Sequence, residues 1–201
     1  MTRSIAGFII IMSFTAAARA SAQEISAGPG KLEIAAIPAG VVYLIKKDTL
    51  PSIGNYGVGG SLTYNVNRFV GVEGEGGVEI AVKDLQFGSL GSSTKAPNML
   101  GYNANVVVSA AGHPVVPYAT AGVGGLTMFS REELGFNSAE TFLTGNVGGG
   151  VKWYAAGGRW GLRGDYRFFG VQSKDTAPAF FGTESRYGNR VYGAVIINAV
   201  K

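Results

Sequence analysis

The sequence alternates between apolar and polar or small side chains in one segment after another, and no other feature limits the fold as strongly. In the stretch RWGLRGDYRFFGV, residues 159–171, the charged residues Arg163, Asp165 and Arg167 alternate with Leu, Gly, Tyr and Phe. Because an extended strand sends successive side chains to opposite faces, such a segment has one apolar face and one charged face. The fold therefore depends on which of the two faces meets water.

Eight such segments follow one another, and the links between them alternate in length. Three compact turns, NVNR, AAGHP and AAGGR, join the second segment to the third, the fourth to the fifth and the sixth to the seventh. The other four links are longer and polar. Short turns at one end and long loops at the other are typical of a bacterial outer-membrane β-barrel with both termini at the short-turn end.

The fold class predicted from this pattern is all-β, an eight-stranded antiparallel up-and-down transmembrane β-barrel. No stretch of the mature chain shows the 3.6-residue period of a sizeable helix. The strands are expected near residues 31–45, 55–66, 68–82, 98–110, 115–129, 140–154, 159–172 and 188–200. The register stays open in the first and fifth segments, where Pro38 and Pro117 interrupt the backbone donors and both faces look apolar.

A soluble sandwich or lipocalin has the same two-residue period as a membrane barrel but turns its apolar faces inward, so the period alone does not separate the two. The composition of the apolar faces does. Here these faces carry many glycines, which suit a surface in lipid better than a core that large side chains must fill. Aromatic residues also fall into two groups, as the interfacial girdles of a membrane barrel require. The group near the short turns is Tyr64, Phe69, Tyr118, Trp153 and Trp160, and the group near the long loops is Tyr56, Phe129, Phe142 and Phe168. We therefore expect the apolar faces to meet lipid.

Charged residues of the third, sixth and seventh segments then point into a lumen. In a closed sheet of eight strands the third and seventh strands lie opposite each other, and the interior is just wide enough for side chains to fill it. An unpartnered buried charge costs several kcal/mol, so we expect these charges to pair and to plug the lumen. The predicted lumen charge network is Glu73, Glu75, Glu79, Lys152, Arg163, Asp165 and Arg167.

Three motifs support a family resemblance. They are PYATAGVGG at residues 117–125, VGGGVKWY at residues 147–154 and WGLRGDYRFFGV at residues 160–171. With them the mature chain resembles the outer-membrane β-barrel family that includes the OmpA transmembrane domain and the opacity-type small barrels. The resemblance implies an outer-membrane barrel with a role in envelope integrity, adhesion or narrow pores. Family chains usually end on an aromatic residue, whereas this sequence ends VIINAVK.

The N-terminus predicts export. A basic residue, Arg3, precedes an apolar run of roughly 13 residues and then small residues at Ala18, Ala20 and Ala22, which is the order of a secretory signal peptide. The expected domains are a signal peptide at residues 1–22 and an outer-membrane barrel domain at residues 23–201. The chain has no cysteine, so disulfides are excluded, and its formal charge of +4 falls to about +2 after cleavage and does not argue for nucleic acid.

No motif of the sequence predicts catalysis or a cofactor. The only histidine, His113, lies in a tight turn, where a catalytic base lacks the neighbours that would orient it. Zinc sites need several His or Cys ligands, and the glycine-rich pieces lack the helix and lysine of a phosphate loop. We therefore expect no enzymatic activity, no cofactor and no metal.

The function is expected to lie in the barrel and its four long loops. The leading hypothesis is a structural or surface-interaction protein, with Phe180 and Phe181 as a candidate loop contact or, alternatively, as a cap on the barrel mouth. A narrow porin-like solute channel is the second hypothesis, and a soluble periplasmic lipid-binding barrel is the third. The expected partners are outer-membrane lipid and envelope or extracellular partners of the loops, with the barrel itself a monomer.

Overall fold

A computed structural model describes residues 28–45, 50–82, 84–87, 92–134 and 137–200. The predicted signal peptide, residues 1–22, lies outside these described residues. In these ranges ten strands follow one another, and a 3-10 turn lies at Glu132–Leu134. The strands are β1 Leu32–Leu44, β2 Ile53–Asn65, β3 Val70–Ala81, β4 Asp84–Phe87, β5 Ser92–Lys95, β6 Met99–Ser109, β7 Val115–Met128, β8 Glu140–Tyr154, β9 Trp160–Gln172 and β10 Arg186–Val200. Within the described ranges, no helix is long and apolar enough to cross a membrane.

Eight of the ten strands form a closed barrel. Their order around the barrel is β1-β10-β9-β8-β7-β6-β3-β2, every neighbouring pair is antiparallel, and β1 closes the sheet by pairing with β10. The predicted fold class is therefore confirmed. Closure leaves the barrel sheet without an edge, so its inner backbone donors and acceptors are paired between strands, as the hydrocarbon core of a membrane requires.

The remaining two strands form a hairpin that the sequence did not predict. β4 and β5 pair with each other in the link between β3 and β6, at the long-loop end of the barrel. Strands of four residues are too short to show a clear alternation of side chains. Leu85 of β4 is fully buried and packs in a cluster at the mouth of the barrel, so this hairpin lies against the barrel end.

A β-bulge in β1 explains why both faces of the first segment look apolar in the sequence. The register of β1 shifts around Pro38 in both of its strand pairings, between Ala36 and Ala39 against β10 and between Ile37 and Gly40 against β2. Glu33 and Ile37 are buried before the shift, and Gly40 and Val42 are buried after it, so the inward positions change from odd to even numbers. Proline has no backbone N–H, and a bulge is one of the few places in a sheet that accepts it.

The outer surface of the barrel is apolar, and the middle of its interior is polar. Large hydrophobic side chains such as Leu62, Val123 and Leu143 are exposed on the outer face. An apolar surface that runs around the whole molecule is too large for a protein in water and matches a barrel that faces lipid. The inward positions between them carry buried charged, hydroxyl and amide side chains.

The predicted aromatic girdles are correct for most of their members and wrong for two. Trp153 and Trp160 are exposed near the short turns and contact each other edge to face, with ring centroids 5.6 Å apart. Tyr118 instead points into the lumen, where polar partners are available for its hydroxyl group. Phe142 is also buried, because it packs with other apolar side chains at the barrel mouth.

Candidate functional site in the barrel lumen

Two arginines and three carboxylates form a salt-bridge network at the centre of the lumen. Arg163 pairs with Glu73 and, at 2.8 Å, with Asp165. Arg167 pairs with Glu73 at 2.8 Å, with Glu75 at 3.2 Å and with Asp165 at 2.9 Å. All five side chains are at most 1% exposed. This network therefore has almost no contact with solvent.

The strand order brings these residues together. β3, which carries Glu73 and Glu75, is four strands away from β9 in either direction around the barrel. The two strands are therefore on opposite sides of the bore, and the interior of an eight-stranded barrel is narrow enough for an arginine to cross it. Arg163, Asp165 and Arg167 share the inner face of β9 because they are spaced two residues apart.

Neutral side chains on neighbouring strands complete the surroundings of Glu73. Ser61 and Thr63 of β2 donate hydrogen bonds to Glu73 Oε2, each at 3.3 Å. Asn105 of β6 donates to Glu73 Oε1 at 3.1 Å. Charge-assisted hydrogen bonds of this kind favour the ionised carboxylate. Glu73 therefore has partners on β2, β6 and β9.

Two buried tyrosines connect the charges further. The Tyr118 hydroxyl donates to Asp165 and accepts from Arg163 Nε at 2.7 Å. The Tyr192 hydroxyl donates to Glu75 Oε2 at 2.8 Å and accepts from Arg167 Nη2 at 3.1 Å. Each hydroxyl thus serves as both donor and acceptor between one acid and one base, as expected for tyrosine in a satisfied buried network.

Lys152 is inside the lumen as expected, but it belongs to a second, separate ion pair. Its Nζ pairs with Glu33 of β1, and the Tyr154 hydroxyl also donates to Glu33. This pair lies next to an apolar cluster toward the short-turn end, which contains Val116 and Ile196. The base of the lumen is therefore occupied by one ion pair and an apolar layer.

Glu79 is the predicted network member that the structure leaves apart. It is buried, and its Oε2 atom has no hydrogen-bond partner among the described residues. Glu79 forms no ion pair with any cation among the described residues. It lines a cavity of about 30 Å³ together with Asn146, Arg167 and Arg190. Asn146 Oδ1 and Arg167 Nη1 are also without partners, so this is the least satisfied polar region of the lumen.

Sequence reasoning missed several residues of the site. Arg190 of β10 pairs with Glu75, and its alternation with Tyr192 along β10 could have placed both residues inside. Glu33 was hidden by the bulge in β1, which breaks the alternation on that strand. The sequence pattern assigns Tyr118 to the girdle near the short turns, because an aromatic residue close to a strand end is equally consistent with a girdle position.

An apolar cluster, which we call the mouth cluster, fills the long-loop end. It consists of Leu44, Ile53, Leu85, Ala96, Met99, Leu126, Met128, Phe142, Val171, Phe180 and Phe181. Phe180 and Phe181 are 4% and 0% exposed, so they are not available as the exposed loop contact considered from the sequence. They fold inward because Phe181 packs on Phe142, with ring centroids 4.7 Å apart.

A buried arginine, Arg186, connects the mouth cluster with the loop between β1 and β2 through hydrogen bonds and a ring contact. Its Nη2 donates to the carbonyl oxygens of Ile45 at 2.9 Å and Pro51 at 2.7 Å. Its guanidinium carbon lies 5.4 Å from the centroid of the Phe181 ring, within the range of a cation–π contact. Arg186 therefore links the ends of two long loops over the lumen.

Across the residues that the structure describes, no group of three or more His, Cys, Asp or Glu side chains is placed to hold a metal ion. His113 is in the exposed turn between β6 and β7, away from the lumen charges. The buried charges face one another and make the contacts of a structural network.

A closed eight-stranded barrel with an apolar outside and a charged inside belongs to the class of small transmembrane β-barrels. The family described as "Outer membrane protein beta-barrel domain" matches residues 5–193 of the sequence. The chain therefore belongs to this outer-membrane β-barrel family. Family membership assigns the chain to the outer membrane, and in bacterial barrels of this class the short turns generally face the periplasm and the long loops the outside.

Solved structures of the same fold come from other bacteria. Neisserial surface protein A (NspA) is 16% identical with a TM-score of 0.59, and the match covers 85% of this chain and 99% of that one. The N-terminal β-barrel domain of Pseudomonas aeruginosa OprF is 14% identical with a TM-score of 0.51, and the match again covers 85% and 99%. No curated protein matches the sequence.

Proposed function

We propose that this protein is a non-enzymatic structural barrel of the outer membrane that carries its loops at the cell surface and does not conduct solutes. The observation that carries the proposal is the central salt-bridge network, in which side chains from β3 and β9 meet across the bore. Two of the loops contribute to the mouth cluster as well. The barrel would therefore hold the external loops at the membrane surface while its lumen stays closed to solutes.

The packing of the lumen supports closure at three levels. The mouth cluster occupies the outer end, the salt-bridge network the middle, and the pair of Lys152 with Glu33 the inner end. The cavity beside Glu79 measures about 30 Å³, room for a few water molecules at most. A porin-like path would need a continuous water-filled channel, which larger barrels provide.

Conductance across a planar lipid bilayer tests this proposal. The wild-type protein is expected to give no large, stable current steps. In the double variant Arg163→Gln and Arg167→Gln, Glu73, Glu75 and Asp165 lose their cations, so water and counter-ions are expected to enter and conductance to rise. A matched control, Arg131→Gln with Lys174→Gln, removes two cations from the external loops and is expected to remain closed.

Large and stable conductance of the wild-type protein would overturn the proposal and favour a solute channel. Equal conductance of the lumen variant and the loop control would show that the arginines do not close the bore. Each variant is first checked for folding by heat-modifiable mobility in gel electrophoresis, so that a misfolded protein is not read as a closed one.

A further inference from the structure

At the periplasmic end of the barrel, the described residues outside the strands carry positive charge and no acidic side chain. We define the periplasmic rim as the residues before β1 and the three short turns, residues 28–31, 66–69, 110–114 and 155–159. These residues include three permanent cations, Lys31, Arg68 and Arg159, and no Asp or Glu. They also include His113, so three turns and the start of β1 each carry one basic side chain.

The three cations are exposed and have no ionic partner among the residues that the structure describes. Lys31, Arg68 and Arg159 all lie at the surface, and none of them is in an ion pair with a residue that the structure describes. The opposite end of the barrel differs, because acidic residues lie beside two of its cations. Arg131 pairs with Glu133 at 3.0 Å, and Lys174 pairs with Glu140. Among the described residues, the long-loop end therefore combines cations with acidic residues, whereas the periplasmic rim carries cations without any acidic residue.

Aromatic side chains place these cations at the depth of lipid headgroups. The guanidinium carbon of Arg68 is 4.5 Å from the ring centroid of Phe69, which is exposed. Arg159 directly precedes Trp160, and the indole of Trp160 packs against that of Trp153. Exposed Trp and other amphipathic aromatic rings settle at the membrane–water interface. This places Arg68 and Arg159 at the level on the barrel where we expect the phosphate layer of the inner leaflet.

We propose that the periplasmic rim binds the phosphate groups of anionic phospholipids in the inner leaflet of the outer membrane. Arginine donates paired hydrogen bonds to phosphate oxygens, and its hydrocarbon stem lies easily along an apolar surface. Basic residues next to a membrane are attracted to anionic lipids within about one Debye length. Three such residues around one rim select anionic over zwitterionic lipid and hold the barrel at a fixed depth.

A soluble acidic partner is the competing occupant, and the position of the cations favours lipid. A partner in the periplasm would need cations that project away from the membrane into water. Here the Arg68 guanidinium stacks on the exposed Phe69, and Arg159 is the residue directly before the exposed Trp160, so both cations lie on the chain beside aromatic residues that belong at the lipid interface. The rim therefore fits a headgroup better than a polymer or protein below the membrane.

Tryptophan fluorescence provides a local test at Arg159. The chain has 2 tryptophans, Trp153 and Trp160, and both are at this rim. The full chain is reconstituted in phosphatidylcholine vesicles that contain either brominated phosphatidylglycerol or brominated phosphatidylcholine, and quenching by the two brominated lipids is compared. The wild-type protein is expected to be quenched more strongly by phosphatidylglycerol at low salt, with the preference reduced at high salt.

The variant Arg159→Gln is expected to reduce the preference for phosphatidylglycerol about fivefold, the effect of one cation near an anionic surface. Lys174→Gln removes one exposed cation at the opposite end and is expected to keep the wild-type preference. Both variants must show the heat-modifiable mobility of a folded barrel. This test does not depend on whether the lumen conducts, because it reads only the outer surface of the rim.

Two results would overturn the proposal. One is equal quenching of the wild-type protein by the two brominated lipids. The other is an undiminished preference in Arg159→Gln, which would mean that another part of the surface selects the lipid. Sedimentation of the wild-type protein with peptidoglycan, without any lipid preference, would instead assign the rim to an acidic periplasmic polymer.

Discussion

At the scale of single residues, Glu73 and Glu79 show how differently two buried carboxylates of one strand can be held. Both are on the inner face of β3. Glu73 accepts hydrogen bonds from two arginines and three neutral side chains, whereas Glu79 Oε2 has no partner. Removing one member of a buried ion pair leaves the other charge buried without a partner, which lowers stability. Removing a buried carboxylate that has no ionic partner instead removes a desolvation cost. The same substitution should therefore destabilise the barrel at Glu73 and not at Glu79.

We predict that Glu73→Gln lowers the free energy of unfolding by about 3 to 5 kcal/mol, because Arg163 and Arg167 lose a buried partner. We predict that Glu79→Gln leaves stability unchanged or raises it slightly. Urea unfolding of the two variants in lipid vesicles, followed by tryptophan fluorescence, measures both effects. An equal loss of stability in the two variants would contradict the assignment of Glu73 as the centre of the network.

From the sequence, the side of the strand on which a residue lies could be predicted better than the residue with which it forms an ion pair. Alternation on β3 and β9 correctly indicates which charged side chains are buried together in the bore. It does not indicate that Lys152 pairs with Glu33, or that Arg190 reaches Glu75. Those pairs depend on how far long side chains extend across the lumen and on the register of β1 after its bulge. Neither is encoded in the period of two residues.

At the scale of elements, room for the lumen network comes from inward-facing glycines. Gly150 of β8 faces the lumen, and a Cβ atom at this position would lie 2.7 Å from the Tyr118 hydroxyl and 2.0 Å from the Gly164 carbonyl oxygen. The Tyr118 hydroxyl is the atom that connects Asp165 with Arg163. Glycine at this position therefore serves the packing of the network, in agreement with the close backbone approach expected of strand glycines.

Sequence patterns predicted the structure of the long loops less well than that of the strands. The hairpin of β4 and β5 and the inward fold of Phe180 and Phe181 arise from contacts between loops that are far apart in the sequence. Such contacts give no periodic signal, so Phe181 could be read from sequence as either an exposed contact or a cap. The barrel strands, in contrast, were predicted to within about two residues of their observed ends.

The mouth cluster makes a prediction about loop stability. Phe181→Ala is expected to lower the free energy of unfolding by about 3 kcal/mol, because it leaves a cavity beside Phe142. It should also open residues 173–185 to added protease. Phe129→Ala, at an exposed phenylalanine of the same barrel end, is the matched control and should have little effect. Equal protease resistance of both variants would contradict the role of Phe181 in closing the mouth.

At the scale of the whole molecule, the fold holds together without disulfides because the sheet is closed and its interior is paired. The chain has no cysteine, and β1 and β10 join to remove the sheet edges. Membership of the outer-membrane β-barrel family agrees with the apolar outer surface and the charged interior. The central claim that remains to be measured is that the two faces of each strand have different surroundings, with lipid outside and a closed, protein-filled lumen inside.

Substituted cysteines on adjacent residues of β2 test this claim most directly. Ser61 faces the lumen and Leu62 faces outward, while Glu133 in the loop between β7 and β8 is exposed to water. In lipid vesicles a water-soluble maleimide should label Glu133→Cys and leave Ser61→Cys and Leu62→Cys unlabelled until the barrel is unfolded by heat in detergent. Rapid labelling of Ser61→Cys would contradict the account by showing a water-filled lumen, and rapid labelling of Leu62→Cys would show that the outer face is not in lipid.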